Sequence, residues 1–157
     1  MSLHLTPEVA AYNQWMAFSF YHFVGEDIVA GARQLRTTDL AQAMFDAPVA
    51  IVSHGTEADP IFRYANAKAL DLWEMDWETF TRLPSRLSAE PESGVQGDRD
   101  RSLKSVLETG FVDHYSAIRI SSRGRRFEIH DTVLWNVIDR NGVRHGQAAF
   151  IRDWRYL

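Results

Sequence analysis

Apolar positions in the first 45 residues recur at helical spacing. Tyr12, Met16, Phe20 and Phe23 fall four, four and three residues apart, and Trp15 and Val24 widen the stripe. Thr6-Pro7-Glu8 reads as a helix start, with Thr as N-cap, Pro in the first turn and an acid at the positive end. Gly25 reads as the stop. A second helix is predicted from Thr38 or Asp39 to Phe45, with Leu40 and Met44 on one side. The aromatic stripe suits either a core or a face that covers a second copy of the chain.

The period changes at Pro48. Val49 to Val52 is a short apolar run of the kind that forms a strand buried on both faces, and Ile61 to Ala65 reads as a second strand after a polar loop. Asn66 is placed to cap a helix from Ala67 to Met75, with Leu70 and Trp73 on one face. Asp76 caps a further turn at Trp77–Phe80, and Pro84 and Pro91 bracket an irregular piece containing Arg86. Glu92 to Asp100 is polar and contains glycine, which predicts a mobile loop. Leu103, Val106 and Leu107 then mark an amphipathic helix that Gly110 ends.

From Phe111 onward the pattern predicts an antiparallel meander with strands at 111–121, 125–138 and 145–154. Ser122-Arg123-Gly124 and Arg140-Asn141-Gly142 are hairpin signals between them. Loop length decides which side chains share a face. Three-residue loops would gather Tyr115, Ala117, Phe127, Ile129, Val133, Trp135, Ala149 and Ile151 on one side, interrupted by Arg119, Asp131 and Asp153. A two-residue loop at Asn141-Gly142 would set odd positions beside even ones instead. The three-residue register is the expectation, because it collects the large apolar residues.

Composition narrows the function. The 157-residue chain is 45% hydrophobic and 24% charged, which is globular composition for one ordinary domain. Its 17 basic and 21 acidic residues give a net charge of −4, which argues against nucleic-acid binding; the basic tip Arg123, Arg125 and Arg126 is too small to change that. The chain has no cysteine, so disulfides, zinc–thiolate sites, thiol nucleophiles and cysteine–flavin adducts are excluded. Apolar runs fall short of the roughly 20 residues that span a membrane, and Met1-Ser2-Leu3-His4 does not resemble a signal peptide. A cytoplasmic protein is expected.

Helices, two strands, short helices, a longer helix and three strands make an α+β domain with a five-stranded antiparallel sheet. The hairpin from Asp139 to Asp153, and Tyr64-Ala65-Asn66-Ala67 leading into a helix, resemble parts of a PAS domain. APVAIVSHGTEADPIFRYANAKALDLWEMDWETFTRLPSRLSAEP and IRISSRGRRFEIHDTVLWNVID are more specific: they resemble the MEKHLA family, a PAS-related domain found in small stand-alone bacterial proteins and at the C-terminus of plant homeodomain–leucine zipper proteins. The literal string that names the family is absent, which places the likeness nearer the bacterial members. The resemblance implies strand order 2-1-5-4-3, short helices on one face, flanking helices over 1–45 and a PAS-like body over 46–157. It also implies that Ile129, Asp131, Val133, Ala149 and Ile151 face the short helices, and that the flanking helices lie on the outer face or reach a partner subunit.

Arg119 and Asp131 carry the functional expectation, since a charge within an apolar strand face costs several kcal/mol unless it is matched. Each other, Asp153, Arg86 or a ligand would satisfy them. The expected pocket rim is Asn66, Leu70, Trp73, Arg86, Tyr115, Arg119, Asp131 and Ile151, facing a small anionic or aromatic ligand. Ser53 and His54 with Asp59 do not make a nucleophilic triad, because neighbours on a strand point to opposite faces. No histidine pair has helical metal-ligand spacing. No catalytic residue, metal or cofactor is therefore assigned, although flavin stays open as a guest. The reading is a non-catalytic sensory or interaction domain, homodimeric through its N-terminal helices, that passes its signal to another protein. The alternative is a cone-shaped NTF2-like isomerase or hydratase with Asp131 or Asp153 as buried base and His130 nearby.

Overall fold

A computed structural model describes residues 2–157. Its helices are α1 (Pro7–Val24), α2 (Thr37–Phe45), α3 (Ala67–Trp73), α4 (Trp77–Phe80) and α5 (Ser93–Thr109). Its strands are β1 (Ala50–His54), β2 (Phe62–Ala65), β3 (Phe111–Ile120), β4 (Arg126–Ile138) and β5 (Arg144–Tyr156). All pairings are antiparallel and the order is β2-β1-β5-β4-β3, as the α+β PAS-like reading expects. No described helix is long and apolar enough to cross a membrane.

Local signals account for the helix ends. The Thr6 hydroxyl accepts from the Val9 amide, and Gly25 at φ 80° closes α1 by donating to the Tyr21 carbonyl. Asn66 does more than cap α3. Its Oδ1 accepts from the Ala69 and Ile51 amides while its Nδ2 donates to the Val49 and Met44 carbonyls. One buried amide thereby fastens the end of α2, β1 and α3 together.

The sheet is covered on both sides. On the outer face Tyr12, Met16 and Phe20 of α1 pack with Leu40 and Met44 of α2 against Ile51, Val133, Trp135 and Val137. Phe20 meets Trp135 edge to face at 5.0 Å, and the Trp135 indole donates to the Ser19 hydroxyl at 3.0 Å. The aromatic stripe of α1 is thus intrachain core. On the inner face Phe127, Ile129, Ile151, Phe62 and Phe80 pack around Trp73.

The expected face assignment needs correction at β4. Both hairpins do turn through three residues, with Gly124 and Gly142 each at φ 80°. Beyond the second turn, however, the register shifts between Val137 and Ile138, and odd positions of β4 pair with even positions of β5 from there on. A second irregularity lies mid-strand. β3 carries one extra residue between Val112 and Tyr115, and β4 one extra residue between Ile129 and Thr132. His114 (φ 56°) and Asp131 (φ 46°) occupy these compensating bulges in left-handed backbone. The bulge turns β4 over: Phe127 and Ile129 face inward, whereas Val133 and Trp135 face α1. Trp154 and Ile151, three apart on β5, both join the inner cluster, so that strand changes parity at the same level. Val133 and Asp131 consequently leave the pocket face, and Leu134 joins it.

The segment 92–100 is the second correction. It forms the first half of α5, anchored where the Gln96 amide donates to the Arg86 and Glu90 carbonyls.

Among the glycines, Gly146 permits the closest approach. A Cβ there would lie 2.1 Å from the His54 carbonyl oxygen and 2.5 Å from the Tyr12 hydroxyl, both fixed by packing. Gly146→Ala is expected to destabilise the protein by about 3 kcal/mol, read in urea unfolding as a lower midpoint at unchanged slope.

Candidate functional site

A cavity of about 60 Å³ lies between the inner sheet face and the wall formed by α5 and the turn Ser85–Ser88. Each wall has a local cause. β1 contributes Val52, Ser53 and His54; β3 contributes Tyr115 and Arg119; β4 contributes Ile129 and Leu134; β5 contributes Gln147, Ala149 and Ile151. α5 contributes Arg99, Ser102, Leu103 and Val106 along one side, at the i, i+3, i+4, i+7 spacing of a single helix face. Two neighbouring side-chain amides hold α5 in place: Gln147 donates to the Leu103 carbonyl and to Asn136, and Asn136 donates to the Val106 carbonyl.

Four expected rim residues meet at the cavity: Trp73, Tyr115, Arg119 and Ile151. The other four do not. Asn66 is the buried clamp described above, and Leu70 packs at the edge of the inner cluster. Arg86 is exposed and paired with Asp59 at 3.3 Å, a surface contact of little energetic weight. Asp131 lies at the bulge with its side chain 46% exposed, bonded to His114 Nδ1 at 2.7 Å and to Arg152 at 3.4 Å. The enclosed Arg119–Asp131 pair is therefore absent. Arg119 instead donates to the Ile118 carbonyl and the Tyr115 hydroxyl. Asp153 is exposed as well, so the buried carboxylate that the cone-shaped enzyme needs is lacking on both counts, and the strand order likewise gives that alternative no support.

Arg99 is the residue that sequence reasoning missed. It is only 7% exposed and donates to the Ser85 hydroxyl, with its nearest carboxylate, exposed Asp100, at 3.7 Å. Burial, and then the neighbouring charge of Arg119, lowers its pKa. Its signal was the spacing to Leu103 and Val106, four and seven residues on, hidden by the glycines before it.

His54 is the second. Its Nδ1 lies 3.0 Å from the Gly55 carbonyl, so that nitrogen carries the proton and donates. Nε2 is then a bare acceptor, buried and without a partner. Ser53 points the opposite way, through the sheet: its hydroxyl meets the Tyr12 hydroxyl at 2.7 Å and the Gln147 carbonyl at 2.7 Å. Burial pushes the Tyr12 phenol up to about 12.

Asp113, His114 and Asp131 bring potential ligand atoms within 4.8 Å of one another. Arg152 stands among them, at 2.9 Å from Asp113 and 3.4 Å from Asp131, and supplies the positive charge a cation would bring. Their chemistry is an ion-pair network that fixes the bulge.

The profile of the MEKHLA domain matches residues 10–156. Homeobox-leucine zipper protein HOX29 of Oryza sativa subsp. indica is 28% identical over 157 residues, covering 98% of this chain and 18% of the relative. Homeobox-leucine zipper protein ATHB-9 of Arabidopsis thaliana is 26% identical over 164 residues, covering 100% of this chain and 19% of the relative. The chain thus spans about a fifth of the length of these relatives. Among solved structures, a PAS domain from Colwellia psychrerythraea superposes with TM-score 0.62 at 18% identity, covering 72% of this chain and 92% of that one. A light-oxygen-voltage domain studied with a flavin analogue gives TM-score 0.59 at 16% identity, covering 75% and 84%. These structures share the fold. The cavity here is too small for a flavin, since sites for ligands of that size are several hundred Å³ or more.

Burial holds the His54 imidazole at about 4, with Arg99 and Arg144 opposing its charge and Glu57 favouring it more weakly. The unfolded chain, with histidine near about 6.5, binds that proton first. Stability is therefore full above pH 6.5, falls as the pH drops toward 4 and levels off below. His54→Leu is expected to remove a slope of up to about 1.4 kcal/mol per pH unit in that window, measured by urea unfolding at stepped pH.

Proposed function

The chain belongs to the MEKHLA domain family, and from that premise we propose that it works as a non-catalytic PAS-like sensory or interaction domain, in which a small molecule held between sheet and helices changes how the N-terminal helix packs. The observation that supports this reading is the connection between the two faces. β1 lines the cavity with His54 and Val52, and its intervening Ser53 holds Tyr12 of α1. A guest that shifts β1 by a few tenths of an ångström alters a hydrogen bond on the far side of the sheet.

In this proposal residues 1–45 are the flanking output helices, 46–157 the PAS-like body, and the protein works in the cytoplasm. The cavity suits a small anion or one small aromatic ring. The structural neighbours include a light-state dimer of the fungal photoreceptor Vivid, which supports a homodimer, and here its seam is proposed to be α1. Tyr12, Met16 and Phe20 already face the sheet, so such a dimer uses the outward groove of about 670 Å³ that contains Trp15, Phe18 and Tyr21.

Native mass spectrometry and thermal shift against a metabolite panel test the guest. Binding is expected to raise Tm and to change amide exchange in α1; Tyr12→Phe removes the second effect and leaves the first. Ala149→Leu, which fills the cavity, abolishes both. If no compound binds and Ala149→Leu is more stable than the parent, the cavity is a packing void and the proposal fails. Sedimentation velocity tests the dimer: Phe18→Glu with Tyr21→Glu is expected to yield monomers, and a parent protein that is already monomeric at high concentration overturns it.

A further inference from the structure

Two guanidinium groups share the cavity, and none of its lining residues is a carboxylate. Arg99 and Arg119 present about ten N–H donors between them, yet among the described residues their hydrogen-bond acceptors are three, the Ser85 hydroxyl, the Ile118 carbonyl and the Tyr115 hydroxyl, and their one ion-pair partner is exposed Asp100, 3.7 Å from Arg99. Arg99 and half-buried Arg119 repel each other, and the burial of Arg99 removes solvation that would offset the repulsion. His54 adds the opposite polarity, a buried ring nitrogen that accepts and has no donor. The void has room for about four to six water-sized atoms. An open cleft between α5 and β3 shares Arg99, Ser102, Tyr115 and Arg119 with it, which provides a way in.

Resting on the cavity reading above, we infer that the guest is a short carboxylate carrying a neighbouring hydroxyl, of the glycolate or hydrogencarbonate type. Its carboxylate oxygens accept from Arg99 and Arg119, and its hydroxyl donates to His54 Nε2. A short acid fills the cavity without reaching into the open cleft beside it, and a neutral molecule leaves the two cations unmatched. Charge-assisted hydrogen bonds from a forked guanidinium favour a planar oxyanion over a spherical one.

Isothermal titration calorimetry at fixed ionic strength, with glycolate, hydrogencarbonate, acetate and glycolamide as probes, tests this. Glycolate and hydrogencarbonate are expected to saturate one site. Acetate, lacking the hydroxyl, is expected to bind about tenfold more weakly, and glycolamide, lacking the charge, not measurably. Arg99→Met and Arg119→Gln lose the glycolate signal, while Arg123→Gln, altered at the exposed hairpin tip, keeps it. His54→Leu equalises glycolate and acetate. In anion-poor buffer Arg99→Met raises Tm, because it relieves the repulsion without emptying the space. Equal binding of glycolamide, or glycolate binding that survives Arg99→Met, overturns the anion assignment; equal binding of acetate by the parent overturns the hydroxyl. If glycolate fails while an uncharged compound binds in a manner that Ala149→Leu abolishes, the anion inference falls and the cavity reading stands. If neither binds, both fall.

Discussion

The change of face halfway along the meander is the constraint on which the architecture depends. With strict alternation, β4 would send Phe127, Ile129, Val133 and Trp135 to one side and leave the other short of apolar cover. The paired bulges at His114 and Asp131 divide that set between two cores. One half seats α1 on the outer face, and the other closes over Trp73. Left-handed backbone at non-glycine residues costs of order 1–3 kcal/mol per site, and here the two strained residues also bond to each other, with Arg152 neutralising Asp131 and Asp113. Asp131, whose charge looked like pocket chemistry, serves the bulge instead.

The same division sets how the two faces are connected. A residue that lines the cavity has a neighbour in the chain that touches α1, because β1 alternates normally and lies buried on both sides. Val52 and His54 look inward, and Ser53 looks outward to Tyr12. Gly146 lets β5 pass beneath that contact without a side chain. The route from cavity to helix is therefore one residue long.

Much of the fold was legible in the residues. The caps at Thr6, Asn66 and Asp76 form as their side chains predict, and both three-residue hairpin turns form with glycine in the left-handed position. Strand order followed from resemblance rather than from period. What stayed hidden has a physical cause in each case. A bulge inserts one residue without a compositional mark, and Asp at position 131 looks the same in a pleated strand as in a left-handed one. The parity inferred from loop length was right at the turn and wrong beyond it. Gly94 and Gly97 disguised the start of α5, and with it Arg99, whose spacing to Leu103 and Val106 carried the helix period. Of the candidate rim, Tyr115, Arg119 and Ile151 line the cavity from strand segments where alternation holds, and Trp73 lines it from the end of α3.

The cavity's outer wall is fastened differently from the rest of the molecule. α1 is welded by aromatic area, whereas α5 buries Val106 and Arg99 and otherwise hangs on the amides of Asn136, Gln147 and Gln96. Hydrogen bonds of that sort exchange with water at small net loss, and segments with little apolar contact open far below the free energy of global unfolding. α5 is thus the more weakly fastened wall of the cavity. Under the proposed reading, a guest passes α5 while the two hydrophobic cores stay shut, which separates the speed of sensing from the durability of the fold.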